Sequence, residues 1–396
     1  VIDMNNTLKN ERIEVVDALR GVALFAIVIL HCFEHYNLYY MPDCQPHWLT
    51  ALDKGVWDTV WFLFGGKAFS TFSFLFGLSF FIQFDNAKKR GLPFRWRFVW
   101  RMILLMLFSQ LHSLFYNGDI LLLYSIMGIF LVSVSGLSTK SVLILASVMI
   151  IQPVEWIRLI CIGCDIPFLE YGNNWVVYGN LAKPVMESGS LLEILKSNIT
   201  DGQLYGNLWQ IENGRVFQIG GLFLFGMAAG RLSLFKKSDY SVMIWKKVLL
   251  WSVSLFVIFN IIKMTYPEII AGNEALMVPL NIAVPSICNF LFMALLVSFF
   301  VLIWWFGAGN GYRFQRIFIP YGKMSLTNYI VQSIIGVSLF YGFGLGLYKY
   351  TGATSCLVIA IFVFIIQLSF SRWWLSSHRH GPLEWIWKKL TWINVK

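Results

Sequence analysis

The chain has little charge. Asp, Glu, Lys and Arg make up 13% of its 396 residues, about half the share of an ordinary soluble domain, which excludes a conventional hydrated surface. Cysteine is sparse as well: Cys32, Cys44, Cys161, Cys164, Cys288 and Cys356 are too scattered for a disulfide framework. Cys161-x-x-Cys164 lacks the second pair or the histidines that a zinc site needs, so no metal is expected. Acids are outnumbered, 21 against 31 Lys and Arg. No internal repeat relates the two halves. The start is polar and no small-residue cleavage pattern follows the first apolar stretch, so that stretch is expected to be retained rather than removed as a signal peptide.

What is present is apolar. Hydrophobic residues make up 57% and aromatics 17%, and the mean hydropathy is +0.65. The expected fold is an all-α, polytopic membrane protein. A crossing helix needs about 20 mostly apolar residues, and such runs predict about ten spans: 15–33, 56–84, 98–115, 120–135, 141–160, 216–234, 248–264, 286–306, 325–348 and 355–375. The second is long enough to tilt or to break near Gly65-Gly66. Five divisions follow: a cytoplasmic tail (1–14), a first bundle (15–160), an outer loop segment (161–215), a second bundle (216–375) and a cytoplasmic tail (376–396).

The connections alternate in charge. Lys88-Lys89-Arg90 with Arg95, Arg97 and Arg101 follows the second span; Lys140 follows the fourth. Arg231, Lys236, Lys237, Lys246 and Lys247 follow the sixth, and Arg313, Arg316 and Lys323 the eighth. Arg372, Arg379, Lys388, Lys389 and Lys396 fall in the tail. The 155–212 connection instead holds Glu155, Asp165, Glu170, Glu187, Glu193, Asp201 and Glu212 against Arg158, Lys183 and Lys196. Both termini are therefore expected inside, in a multi-pass membrane protein. The net charge of +10 reads as this topology signal, with the lipid bilayer as partner and no nucleic acid. Trp304-Trp305 and Trp373-Trp374 read as interfacial belts.

Ionisable groups on such spans are functional-site candidates, because a charge near the bilayer centre costs about 2.5–3.5 kcal/mol on insertion scales. The first span carries Asp17-Ala18-Leu19-Arg20-Gly21 and His31. Asp17 and Arg20, three residues apart, can pair on one helix face, and Gly21 permits close approach of another helix or a ligand. Guanidinium forks suit phosphate, so Arg20 and Arg101 are candidates to hold a phosphorylated donor from the inside. His31, Glu34 and His35, His112, and Asn117-Gly118-Asp119 are expected at one depth on the outer side. An imidazole within reach of a carboxylate is the arrangement of an oriented general base. Asp119 is equally suited to cap the helix at Ile120, and His112 to bond a neighbouring helix. Ser70, Ser73 and Gly77 form a small-residue packing stripe behind Lys67. Asn328 and Gln332, one turn apart on the ninth span, are candidates for interhelical hydrogen bonding or for donor binding.

These residues carry two resemblances. Asp17-Ala18-Leu19-Arg20-Gly21, Phe72-Ser73-Phe74-Leu75-Phe76-Gly77, His112 with Gly118-Asp119-Ile120-Leu121 and Tyr124, Gly322-Lys323-Met324-Ser325-Leu326-Thr327-Asn328-Tyr329 with Gln332, and Gly381-Pro382-Leu383-Glu384-Trp385-Ile386-Trp387 together resemble the YeiB-like bacterial membrane proteins, whose C-terminal half is a domain of unknown function. The first span, with ten residues from Gly21 to His31, resembles the opening helix of transmembrane acyltransferases, the heparan-glucosaminide acetyltransferase type among them. The loop from Cys32 to Gly55 has no clear counterpart of that type's further histidine, although His35 and His47 are available.

The second resemblance implies transfer of an acyl group, acetyl in the first instance, from a cytosolic CoA thioester to a hydroxyl or amine on a small-molecule or glycan acceptor at the outer face. No permanently bound cofactor is implied. In that reading His112 or His31 takes the acceptor proton and Asp119 orients the imidazole. Arg20, Arg101 and Asp17, with Asn328 and Gln332, serve the donor. A homodimer is compatible with it. The competing classes are a transporter or flippase, with breaks at Gly65-Gly66 and at Gly342, Gly344 and Gly346, and a scaffold that docks partners on the acidic segment.

Overall fold

The computed structural model describes residues 13–42, 45–167, 173–307 and 310–393. Among them every regular element is helical. The chain runs through α1 (Glu14–Phe33), α2 (His47–Phe64), α3 (Ala68–Lys89), α4 (Arg95–Ser113), α5 (Leu121–Val134), α6 (Thr139–Ile150) and α7 (Pro153–Gly163). The segment connecting α7 to the later helices is itself helical: α8 (Asn174–Ser188), α9 (Leu191–Ile199) and α10 (Asp201–Glu212). Then follow α11 (Arg215–Arg231), α12 (Asp239–Ile269), α13 (Glu274–Phe306), α14 (Asn310–Arg316), α15 (Ile319–Lys323), α16 (Ser325–Phe340), α17 (Ala353–Ser377) and α18 (Pro382–Thr391).

Local chemistry explains many of the boundaries. The Ser138, Ser190 and Ser238 hydroxyls each accept an N3 backbone amide at the start of α6, α9 and α12, satisfying groups that a helix start leaves open. At α9, Glu193 closes a capping box by bonding the Ser190 amide at 2.7 Å. The expected break at Gly65-Gly66 is present: the chain turns through Gly65–Lys67 between α2 and α3. A second break bends α6 against α7 by 50°. There Gln152 adopts a left-handed conformation, Pro153 opens the new helix, and the Gln152 amide bonds Gly214 O at 2.9 Å and Ser286 Oγ at 3.2 Å.

Among the described residues, five stretches are long and apolar enough to cross a membrane: Glu14–Phe33, His47–Lys89, Asp239–Ile269, Ala275–Phe306 and Ala353–Ser377, with the α6–α7 pair a sixth if counted as one bent span. The sequence expectation of about ten included shorter pieces, such as α5 with 14 residues and α16 with 16. A core of interlocked apolar side chains joins α1, α3, α4, α5, α11, α16 and α17. α1 lies at its centre, packed against α3, α15 and α17. Glycine permits the closest approaches. A side chain at Gly322 of α15 would collide with the Asp17 carbonyl of α1, and one at Gly21 with the Phe318 carbonyl. The stripe on α3 packs similarly, with Gly77 against the Phe223 carbonyl of α11.

A cavity between two clusters of ionisable residues

One end of the bundle holds a cavity of about 1970 Å³, larger than the 300–1,000 Å³ typical of small-molecule sites. Ile13 and Trp392 both line it, so the described stretches nearest the two chain ends lie at the same end of the fold. Its walls carry Arg20, Arg90, Arg101, Lys323, Arg379, Lys388 and Lys389, with Asp17 and Glu384 as the acids. The surplus of cations creates a field suited to an anionic ligand. Arg20 donates to Asp17 at 2.9 Å and to Ser79 Oγ at 2.8 Å, which holds its guanidinium on the α3 side of the wall. Arg101 stacks on the Trp387 ring at 3.7 Å, while Trp387 Nε1 donates to the Arg101 carbonyl at 2.9 Å.

α18 closes one side of this cavity. Glu384 accepts the Leu326 amide at 2.7 Å, the Thr327 amide at 3.1 Å and the Thr327 hydroxyl at 2.6 Å. A carboxylate from another helix thus satisfies the open N–H groups of α16 and complements its dipole. One turn into α16, Tyr329 forms part of the cavity wall beside Leu121 and Tyr124.

Behind Tyr329 lies a buried cluster of histidines and tyrosines. The His112 ring is 5.2 Å from that of Tyr329 and 5.5 Å from that of Tyr116. The His31 ring is 5.1 Å from Tyr116 and 6.1 Å from Tyr329. His112 Nδ1 and Asp119 Oδ1 are 2.7 Å apart. Asp119 Oδ2 accepts from the Ser109 hydroxyl and, at 3.1 Å, from the Leu121 amide. With an ionised Asp119 accepting at both oxygens, a neutral His112 carries its hydrogen on Nδ1 and its lone pair on Nε2. Among the described residues that Nε2 is buried without a protein partner, as is the Tyr116 hydroxyl. His31 Nδ1 meets the Tyr36 hydroxyl at 3.2 Å, which in turn donates to Ser333. The helical connecting segment covers this region: Gln210 of α10 donates to the Asp119 carbonyl at 2.9 Å and Asn198 of α9 to the Leu114 carbonyl at 3.0 Å.

The sequence candidates therefore fall into three places. Asp17, Arg20 and Arg101 line the cavity; His31, His112 and Asp119 meet in the buried cluster. Asp119 combines the two expected geometries, bonding an imidazole and the first amide of α5. Asn328 and Gln332 are outside the cavity wall. Asn328 donates to Tyr321 O at 3.1 Å and Ser371 Oγ at 3.0 Å, tying α15, α16 and α17 together, while among the described residues the Gln332 amide is buried without a protein partner. Cys44 lies outside the described residues. Ser109, Tyr116, Tyr329 and Glu384 were not singled out as site residues. Ser109 sits three residues before His112, on the same helix face, a signal the spacing contained. Glu384 carries no such signal, since its partners are far away in sequence.

Residues 12–161 match the family described as heparan-alpha-glucosaminide N-acetyltransferase, catalytic. Residues 229–394 match the protein of unknown function family DUF418. The chain is similar to YeiB-like proteins along almost its whole length. The uncharacterized protein YxaH of Bacillus subtilis (strain 168) is 27% identical, over 98% of this chain and 96% of its own. The uncharacterized protein YeiB of Escherichia coli (strain K12) is 26% identical, over 96% of each chain. An uncharacterized 39.9 kDa protein of Bacillus acidopullulyticus is 22% identical, over 96% of this chain and 94% of its own. No solved structure matches. The site draws on both matched regions of the chain: His112 and Asp119 come from the first, Tyr329 and Glu384 from the second.

Proposed function

We propose that this YeiB-like protein is a transmembrane acyltransferase that moves an acyl group, acetyl in the simplest case, from a CoA thioester to a hydroxyl or amine acceptor. The observation that carries this reading is the junction at Tyr329: one wall residue of a cation-lined cavity has its ring 5.2 Å from that of His112. The match of residues 12–161 to an acetyltransferase catalytic domain supports it. The cavity end faces the cytoplasm of a bacterial inner-membrane protein, where Lys and Arg accumulate. The acceptor approaches the His31 and His112 cluster from the opposite, outer side.

In the reaction, Arg20, Arg101 and Lys323 neutralise the donor's phosphates. His112 Nε2 removes the proton from the acceptor as its oxygen or nitrogen attacks the thioester carbonyl carbon. The carbon–sulfur bond breaks, and the departing thiolate takes the proton back from His112 to leave as the thiol. Asp119 keeps Nδ1 protonated and stabilises the imidazolium, the role a carboxylate plays beside a catalytic histidine. His31 shares the chamber and orders Tyr36 beside it.

Calorimetry with acetyl-CoA on the purified chain tests the reading. Saturable binding is expected, weakened by Arg20→Ala and retained by His112→Ala. Absence of saturable binding to folded protein overturns it. The breaks between α2 and α3 and between α6 and α7 favour a second reading, a transporter built on discontinuous helices. Solute movement in vesicles without any thioester would support that class.

A further inference from the structure

We infer that Tyr329 is a catalytic residue, its hydroxyl donating a hydrogen bond to the carbonyl oxygen of the bound thioester and to the oxyanion that forms there. The inference rests on the acyl-transfer reading and adds a residue that reading does not require. Attack on a thioester pushes the carbonyl electron pair onto oxygen, and that oxygen needs a donor aimed at it before the carbon–sulfur bond breaks. His112 does not meet this need: its Nδ1 is spent on Asp119 and its Nε2 is the base in that reading.

Three features single out Tyr329. It is a wall of the cavity, and its ring borders both His112 and His31. Its hydroxyl oxygen accepts the Ile120 amide at 3.4 Å, and among the described residues the hydroxyl donates to no protein group. The phenolic proton is therefore available to a ligand while the amide at the head of α5 supports growing negative charge on the oxygen. Its position is fixed from the cavity side, because Glu384 clamps the amides of Leu326 and Thr327, the first turn of the same helix. Tyr124, the other tyrosine of this wall, is engaged: its hydroxyl lies 2.6 Å from Ser73 Oγ and donates to the Phe69 carbonyl at 3.2 Å.

The infrared carbonyl band of ¹³C-labelled acetyl-CoA, measured on the purified full chain, reads this contact without knowledge of the acceptor. The expected result is a shift of the bound band to lower frequency in wild type and its loss in Tyr329→Phe, with affinity for CoA itself unchanged within about twofold and transfer slowed about 10²- to 10³-fold. Should Tyr329→Phe fail to fold, 3-fluorotyrosine at position 329, a stronger donor of the same shape, is expected to deepen the shift. An unshifted band in wild type that binds acetyl-CoA, or a shift that survives Tyr329→Phe or ignores the fluorine, overturns the role of Tyr329 and leaves acyl transfer standing. No acetyl-CoA binding by folded wild type overturns both.

Discussion

α1 and α12 have almost the same mean hydropathy, yet 78% of the apolar stretch in α1 is buried inside the protein against 6% in α12. α1 carries Asp17, Arg20, Gly21 and His31: Arg20 bonds Asp17 and Ser79 of α3, Phe318 packs on Gly21, and Tyr116 borders His31. α12 packs chiefly on α13 and turns Leu250, Trp251, Ile258 and Ile261 outward. Ser254 and Thr265 on its length bond carbonyls four residues back in the same helix. Hydropathy thus reports that a helix suits a bilayer; its intramembrane polar groups report whether the helix belongs at the centre or at the rim.

Substitutions on the two sides of this contrast should differ widely. The largest effect is expected at the cluster that α1 helps to enclose: His112→Ala should slow thiol release from acetyl-CoA, assayed with glucosamine as trial acceptor, by about 10²- to 10⁴-fold. Unchanged turnover would remove His112 from the chemistry. Next comes packing around α1. Gly322→Val drives a side chain into the Asp17 carbonyl and should cost about 1–3 kcal/mol, seen as a lower melting temperature in detergent; a neutral result would mean that α1 and α15 separate freely. In the cavity, Arg101→Ala should weaken acetyl-CoA binding about tenfold, ~1.4 kcal/mol, with calorimetry as the readout. The smallest effect belongs to the rim: Ile258→Ala on α12, 53% exposed, should change stability by no more than about 0.5 kcal/mol. A large loss there would show that α12 is covered by a partner and would dissolve the contrast.

Much of the site was legible because its parts are local. Asp17 and Arg20 are three residues apart, and His112 and Asp119 are separated by a single turn between α4 and α5. The break at Gly65-Gly66 was legible for the same reason. Asn328 had two readings in the sequence, and its bond to Ser371 depends on α17, which no spacing could position. Glu384 was hidden more deeply. It reads as an ordinary first-turn acid of α18, yet it bonds amides of α16 across 58 and 57 residues.

By itself the sequence determined that this is an all-helical chain suited to a bilayer, and which side chains carry charge at a cost. Apolar burial and helix propensity accumulate along contiguous residues, so both are readable from composition and run length. Only the tertiary structure decided that Tyr329 would stand between a cationic cavity and His112, with its hydroxyl on the Ile120 amide 209 residues away. That meeting depends on helices approaching as closely as Gly21 and Gly322 allow. Its physical reason is close packing: the burial that each helix supplies is non-directional, and the fit between helices selects which of their polar groups face one another.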